Sequence, residues 1–309
     1  MQLSKEMKKR LLFLLLSSIL LLNVVKAQDE TDDDKPIKVD TLLLTTPLVV
    51  KDKKGRFVAG LKKENFSIFQ NRQKQEVEYF FGEESPMNVA ILLDTSASTK
   101  EVLDKIQTAA RDFVKVLRPE DKGVIVGFDN RTLFLSDLTS DKKHLSKAIR
   151  EVRIAYDAGS DMNDAVLQII KKHFAFVKGR KAIIVLSDGM VIKRNISTQQ
   201  TLDALLESDT VFYPIVFKTD FYAQAMSRPK KPLPVAMLEY LAEGTTGRFY
   251  EKEASNLKEA FQSIAEELKK QYLIGFYPEN TGMEKSLKNI TITVDQKDSM
   301  VETRKKWSF

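Results

Sequence analysis

Two apolar runs that each end in a carboxylate constrain this chain more than any other feature. Asn88-Val-Ala-Ile-Leu-Leu-Asp94 and Ala182-Ile-Ile-Val-Leu-Ser-Asp188 show no alternation of polar and apolar residues, so both faces of each strand need cover. Val124–Phe128 and Val211–Phe217 read the same way, Gly247–Tyr250 reads as a short fifth strand, and Arg131–Phe134 as a hairpin partner of the second. Between these runs the apolar positions fall at helical spacing. One set is Leu103, Ile106, Ala110, Phe113, Val114 and Leu117; a second is Met162, Ala165, Val166, Ile169, Ile170 and His173. A third is Leu257, Ala260, Phe261, Ile264, Ala265 and Leu268. Buried strands alternating with amphipathic helices imply an α/β fold, a doubly wound and mainly parallel sheet covered on both faces.

The flanks have a different pattern. Thr41–Val50, Phe66–Gln70 and Val77–Phe81 read as strands, with Asp52-Lys-Lys-Gly55 as a hairpin turn. After the last helix, Gln271–Tyr277, Asn289–Val294 and the tail ending Lys306-Trp-Ser-Phe309 are again strand-like. The two flanks are expected to meet in one β-sandwich. The division that follows is a leader at 1–27, an acidic spacer at 28–36 and a β module at 37–85. An α/β unit at 86–270 and C-terminal strands at 271–309 complete it.

The leader has its own reading. Lys8, Lys9 and Arg10 precede an apolar stretch, and Val25-Lys26-Ala27 closes it with a small residue, the pattern of a secretory signal peptide cleaved after Ala27. Leu11 to Val25 is fifteen residues, short of the roughly 20 that a spanning helix needs. The mature chain is therefore expected outside the cytoplasm, periplasmic or secreted, without a transmembrane segment. The net charge of +6 is no sign of nucleic-acid binding, because the positive residues of 1–27 outnumber Glu6 by four and leave only +2 for the rest. Absence of cysteine excludes disulfides, thiolate metal sites and a thiol nucleophile.

Ligands of open α/β sheets bind at the carboxyl ends of the strands. Those ends present Asp94-Thr-Ser96-Ala-Ser98, Ser187-Asp188-Gly189 and, ahead of the Met162 helix, Ala158-Gly159-Ser160. Asp94, Ser96, Ser98, Ser160 and Asp188 make a set of two carboxylates and three hydroxyls. Such hard oxygen donors suit Mg²⁺ or Mn²⁺, with Ca²⁺ also compatible, and not zinc or copper. Asp157, Asp161 and Asp164 read as helix-capping residues, with a second cation as the alternative. His173 reads as a core residue and His144 as solvated. Ser227-Arg-Pro-Lys-Lys-Pro-Leu-Pro234 reads as a proline-broken basic loop, and Trp307 as packing the terminal strand.

This pattern resembles the von Willebrand factor A domain and its metal-ion-dependent adhesion site, Asp-x-Ser-x-Ser with a distant Thr and a distant Asp. More closely, it is similar to bacterial secreted proteins related to that domain. Asp52-Lys-Lys-Gly-Arg-Phe-Val, Leu61-Lys-Lys-Glu-Asn-Phe and Gln271-Tyr-Leu-Ile-Gly-Phe-Tyr-Pro278 extend the likeness into both flanks. The resemblance implies a metal held by Asp94, Ser96, Ser98, Ser160 (where the family has Thr) and Asp188, bridging to an acidic residue of a partner protein. Ala97 stands where the family has Gly, Thr245-Thr246-Gly247 where Thr-Gly-Gly is common, and no departure removes a donor atom. The alternatives are an envelope scaffold with a vestigial site and a metal-dependent hydrolase. The hydrolase lacks a second Asp at Asp94-x-Ser, a phosphate-binding Gly motif and an evident histidine base.

Overall fold

Strand β5 (Met87–Asp94) is buried along all eight residues, as its unbroken apolar run demands. The computed structural model describes residues 43–155, 159–190, 196–227, 232–278 and 290–304. β5 lies inside a six-stranded sheet with β6 (Lys122–Phe128), β7 (Thr132–Phe134), β8 (Arg180–Ser187), β9 (Thr210–Phe217) and β10 (Tyr250–Lys252), in the order β10-β9-β8-β5-β6-β7. All pairings are parallel except β6 with β7, an antiparallel hairpin.

Alternate residues of the strands feed two apolar layers. Val89, Ile91 and Leu93 pack with α1 (Leu103–Val116), α2 (Lys142–Glu151) and α7 (Leu257–Lys269). Ala90 and Leu92 face α3 (Met162–Lys172), α4 (Thr198–Glu207) and α6 (Leu233–Gly244), with Tyr222 of α5 (Asp220–Met226) in the same layer. Each such Val, Leu, Ile or Phe contributes about 1.5–3 kcal/mol relative to exposure. The doubly wound expectation holds.

The flanking strands form two antiparallel sheets. β1 (Leu44–Asp52) lies between β11 (Tyr272–Phe276) and β13 (Ser299–Thr303), with β4 (Tyr79–Phe81) beyond β11. β12 (Ile290–Val294), β2 (Phe66–Gln70) and β3 (Gln73–Gln75) make the other. Leu48, Val50, Phe66, Ile68, Tyr272, Ile274 and Ile292 share one core between the sheets, so N- and C-terminal strands do build a single sandwich. The Asp52–Gly55 turn is present, closed by Gly55 N–H to Asp52 O at 2.9 Å with Gly55 at φ +76°.

Three arginines, two of them buried, join the sandwich to the α/β sheet. Arg180 is 2% exposed; its guanidinium donates to the carbonyls of Leu268 (2.8 Å), Gln271 and Glu83 (both 3.0 Å), and Ser85. Arg118 donates to the carbonyls of Glu83, Glu84 and Ser85, and Arg304 to those of Leu206 and Thr45. Arg180 begins β8, and Leu206 lies just before β9, so these ties sit at the amino ends of the parallel strands. The carboxyl ends are left to the loops. Residues 42–309 form one compact unit.

Two readings need correction. The edge strand is β10 at Tyr250–Lys252, three residues later than Gly247–Tyr250, because Gly247 N–H closes the end of α6 on Ala242 O at 2.9 Å. The proline-broken loop is shorter than expected: Leu233 and Pro234 already belong to α6, where a first-turn proline costs no hydrogen bond. The leader, the acidic spacer, Asp157, Ala158, the centre of the basic loop and Trp307 lie outside the described residues. Among the described residues, no helix is long and apolar enough to cross a membrane.

Candidate functional site

Asp94 is the last residue of β5 and is fully buried. The chain leaves it in a tight turn. Thr95 N–H and its hydroxyl both donate to Phe128 O, at 2.9 and 3.0 Å, pinning the turn to the end of β6. Thr99 closes the next step, its hydroxyl donating to Ser96 O at 2.8 Å. Ser96 N–H donates to Asp94 Oδ1 at 2.9 Å. The Ser96 and Ser98 hydroxyls lie 3.1 Å apart, with Ser98 exposed. A 3-10 turn, Ala97–Val102, then runs into α1.

Asp188 follows β8 and is also fully buried; its Oδ1 accepts Met190 N–H at 3.0 Å. Gly189 reverses the chain at φ +75°, where a side chain would also crowd Val235 at 3.1 Å, so only glycine suits this corner. Ser187 Oγ, on the neighbouring strand, donates to Asp94 Oδ2 at 2.6 Å. Burial first, and then the nearby charge of Asp188, push the Asp94 carboxyl up to about 6.

Ser160 is 1% exposed and precedes α3. Its loop is tied to the end of β6 by Asp161 N–H to Asp129 O at 2.7 Å. Asp161 caps α3, accepting Asp164 N–H at 3.1 Å, and Asp164 accepts the Thr132 hydroxyl at 3.1 Å and Gln168 Nε2 at 2.6 Å. Asp161 is thus a capping residue, whereas Asp164 is held by side-chain partners. His144 is exposed, while His173 is half-buried against the Phe134 ring at 5.3 Å and sits beside a lysine-bearing helix end.

The strand order places Asp94, Ser96, Ser98, Ser160 and Asp188 along one carboxyl edge, between the β5, β6 and β8 ends where the winding reverses. Among the described residues, two donor atoms there are buried without a hydrogen-bond partner, Ser160 Oγ and Asp188 Oδ2. Buried polar atoms rarely stay unpaired, and an orphan carboxylate oxygen beside a second carboxylate fits a cation. Among the described residues no three His, Cys, Asp or Glu side chains gather as a metal cluster, so a metal here would depend on the hydroxyls. Ser187 escaped the sequence reading. Its position before Asp188 was visible, but its contact with Asp94 depends on the β5–β8 register.

Residues 89–190 match the family profile of the von Willebrand factor type A domain. That stretch, a third of the chain, is what is similar to the domain. Proximal thread matrix protein 1 of the mussel byssus, solved with a zinc-occupied MIDAS motif, is 16% identical at a TM-score of 0.52, covering 64% of this chain and 49% of that one. A von Willebrand factor type A protein from Catenulispora acidiphila is 14% identical at 0.50, covering 66% and 49%. The chain thus spans about half the length of these two. The vWF domain of the type V pili tip protein Mfa5 from Porphyromonas gingivalis is 15% identical at 0.48, covering 59% and 95%. A search of curated protein sequences finds no match. At these identities the mussel and Catenulispora structures show a shared fold and nothing beyond it.

Proposed function

We propose that this chain is an extracytoplasmic, metal-ion-dependent protein-binding module. Asp94, Ser96, Ser98, Ser160 and Asp188 would hold a divalent cation, Mg²⁺ or Mn²⁺ by the hardness of the donors. The observation that carries this reading is the pair of buried, partnerless donor atoms, Ser160 Oγ and Asp188 Oδ2, beside a second buried carboxylate. The mussel protein of the same fold, described with zinc in its MIDAS motif, supports a divalent metal in general.

When bound, the cation supplies an electrophilic centre that a carboxylate of a partner protein can reach. The chain's own residues do the rest. Asp94 and Asp188 provide two negative charges, so the charges of a divalent ion are matched without excess and an acidic partner is not repelled. Ser96 and Ser98 bring hydroxyls from an exposed turn, which leaves that side open to approach. The sandwich and its arginine ties lie at the opposite, amino ends of the strands. The cleaved leader of 1–27 supplies the export side of the proposal and the acidic stretch 28–36 a solvated spacer, with 37–85, 86–270 and 271–309 as the mature units.

Calorimetric titration of residues 42–309 with Mn²⁺ and Mg²⁺, carried into the millimolar range, tests the reading. Binding is expected in the wild type and absent in Asp94→Ala/Asp188→Ala with its circular dichroism unchanged. A wild-type protein inert to millimolar metal would sink it.

A further inference from the structure

We infer that Ser187 is a positioning residue for this site, its hydroxyl holding the Asp94 carboxylate in the orientation a cation requires. The inference rests on the metal-binding reading above. It concerns a residue outside the five-donor set, and four observations carry it.

The first is proton direction. A serine hydroxyl has one proton to give and two lone pairs to offer. Gly189 N–H donates to Ser187 Oγ at 3.0 Å, and Asp94 Oδ2 lies 2.6 Å away. An ionised carboxylate only accepts, so the Ser187 proton points at Asp94. The 2.6 Å separation is that of a charge-assisted O–H···O⁻ bond.

Burial is the second. Ser187 is 2% exposed and Asp94 is fully buried, so water does not compete for either group. The third is that Asp94 is gripped at both oxygens from two different chain segments, Oδ1 by Ser96 N–H of its own turn and Oδ2 by Ser187 of the adjacent strand. The β5–β8 register, with Leu93 opposite Leu186, sets Ser187 beside Asp94. The last is that the same hydroxyl accepts from Gly189, the corner that turns Asp188 into place. One oxygen atom therefore links the orientations of both carboxylates. Without it, Asp94 Oδ2 loses its donor and the carboxylate is held at Oδ1 alone, by Ser96 N–H.

Outer partners of metal ligands characteristically carry about 10–100-fold in metal affinity. Mn²⁺ titration of residues 42–309 as wild type, Ser187→Ala, Ser187→Thr and Ser136→Ala tests the assignment. Ser136 is a control, a buried hydroxyl that accepts only Ile125 N–H, at 2.9 Å. Ser187→Ala is expected to weaken Mn²⁺ at least tenfold, Ser187→Thr to recover most of the loss, and Ser136→Ala to bind as wild type. Should Ser187→Ala not fold, Ser187→Cys keeps the side-chain shape at a slightly larger volume while weakening the donor, and the same loss is expected. Wild-type binding with Ser187→Ala within twofold of it overturns the role of Ser187 and leaves the metal site standing. Equal weakening in Ser187→Ala and Ser136→Ala also overturns it, since the effect would then be general packing. A wild type that binds no Mn²⁺ overturns the metal reading and this inference together.

Discussion

Gly247 shows how narrowly single residues are constrained in this molecule. A Cβ there would lie 2.0 Å from the Phe212 carbonyl oxygen and 2.9 Å from its carbon, both rigid backbone of β9. Gly247→Ala is expected to cost about 3 kcal/mol or more in urea denaturation, because a strand backbone cannot yield as a flexible side chain can. The candidate donors are a contrasting case. Asp94, Ser96, Ser98, Ser160 and Asp188 were all legible as oxygen donors at strand ends and a helix start. Their hydrogen-bonding states were not: Asp94 is held at both oxygens, while Asp188 and Ser160 each keep an orphan atom. That difference arises from contacts between residues 93 positions apart, which no local spacing encodes.

At the scale of elements, α7 is the helix whose attachment makes the clearest prediction. Its outward face is polar, yet Glu267 is 2% exposed, accepting the Tyr213 hydroxyl at 2.8 Å and pairing with Arg248 Nε at 2.9 Å. Burial holds its carboxyl above the ordinary 4.5 despite those two partners. For an acid raised on folding, the stabilisation belongs to the protonated form. It is complete below the unfolded pKa and is lost as pH rises through the folded one. Glu267→Gln keeps an acceptor for Tyr213 and carries no charge. Its melting temperature relative to wild type is therefore expected to become more favourable as pH rises from about 4 toward neutrality. A difference that stays flat or moves the other way would contradict this account.

Elements also differed in how readable they were. α1, α3 and α7 announce themselves by clean periodicity. α4 does not, although Ser197 and Gln200 form a reciprocal capping box at its start, a signal that motif reading alone could have used. α6 is apolar on most sides and begins at a proline, so periodicity could not pick it out.

For the whole molecule, the decisive feature is that sandwich and α/β sheet share a polar seam. Arg180 spans both chain crossings, Glu83–Ser85 on the way in and Leu268–Gln271 on the way out. Burial lowers its guanidinium to about 10, still charged at neutral pH. Arg180→Met is expected to strip the buried carbonyls of Leu268 and Gln271 of its donor, while Arg118 still serves Glu83 and Ser85, and to destabilise the unit by roughly 3 kcal/mol. Separate urea transitions for the sandwich and the sheet should then replace one in the wild type. Amide hydrogen exchange in β1 and β11 and helical dichroism would follow the two parts, and coincident curves in the variant would argue against the seam as the coupling element.

The parallel sheet, its cover of helices on both faces and the oxygen donors at its carboxyl edge are all legible in the order of residues along the chain. These follow from apolar runs, helical periods and residue types, all local quantities. Tertiary structure alone decided the strand register that sets Ser187 against Asp94, which donors are left unpaired, and which arginines bind the two halves. Those depend on pairings between distant segments, and burial is what makes each of them count.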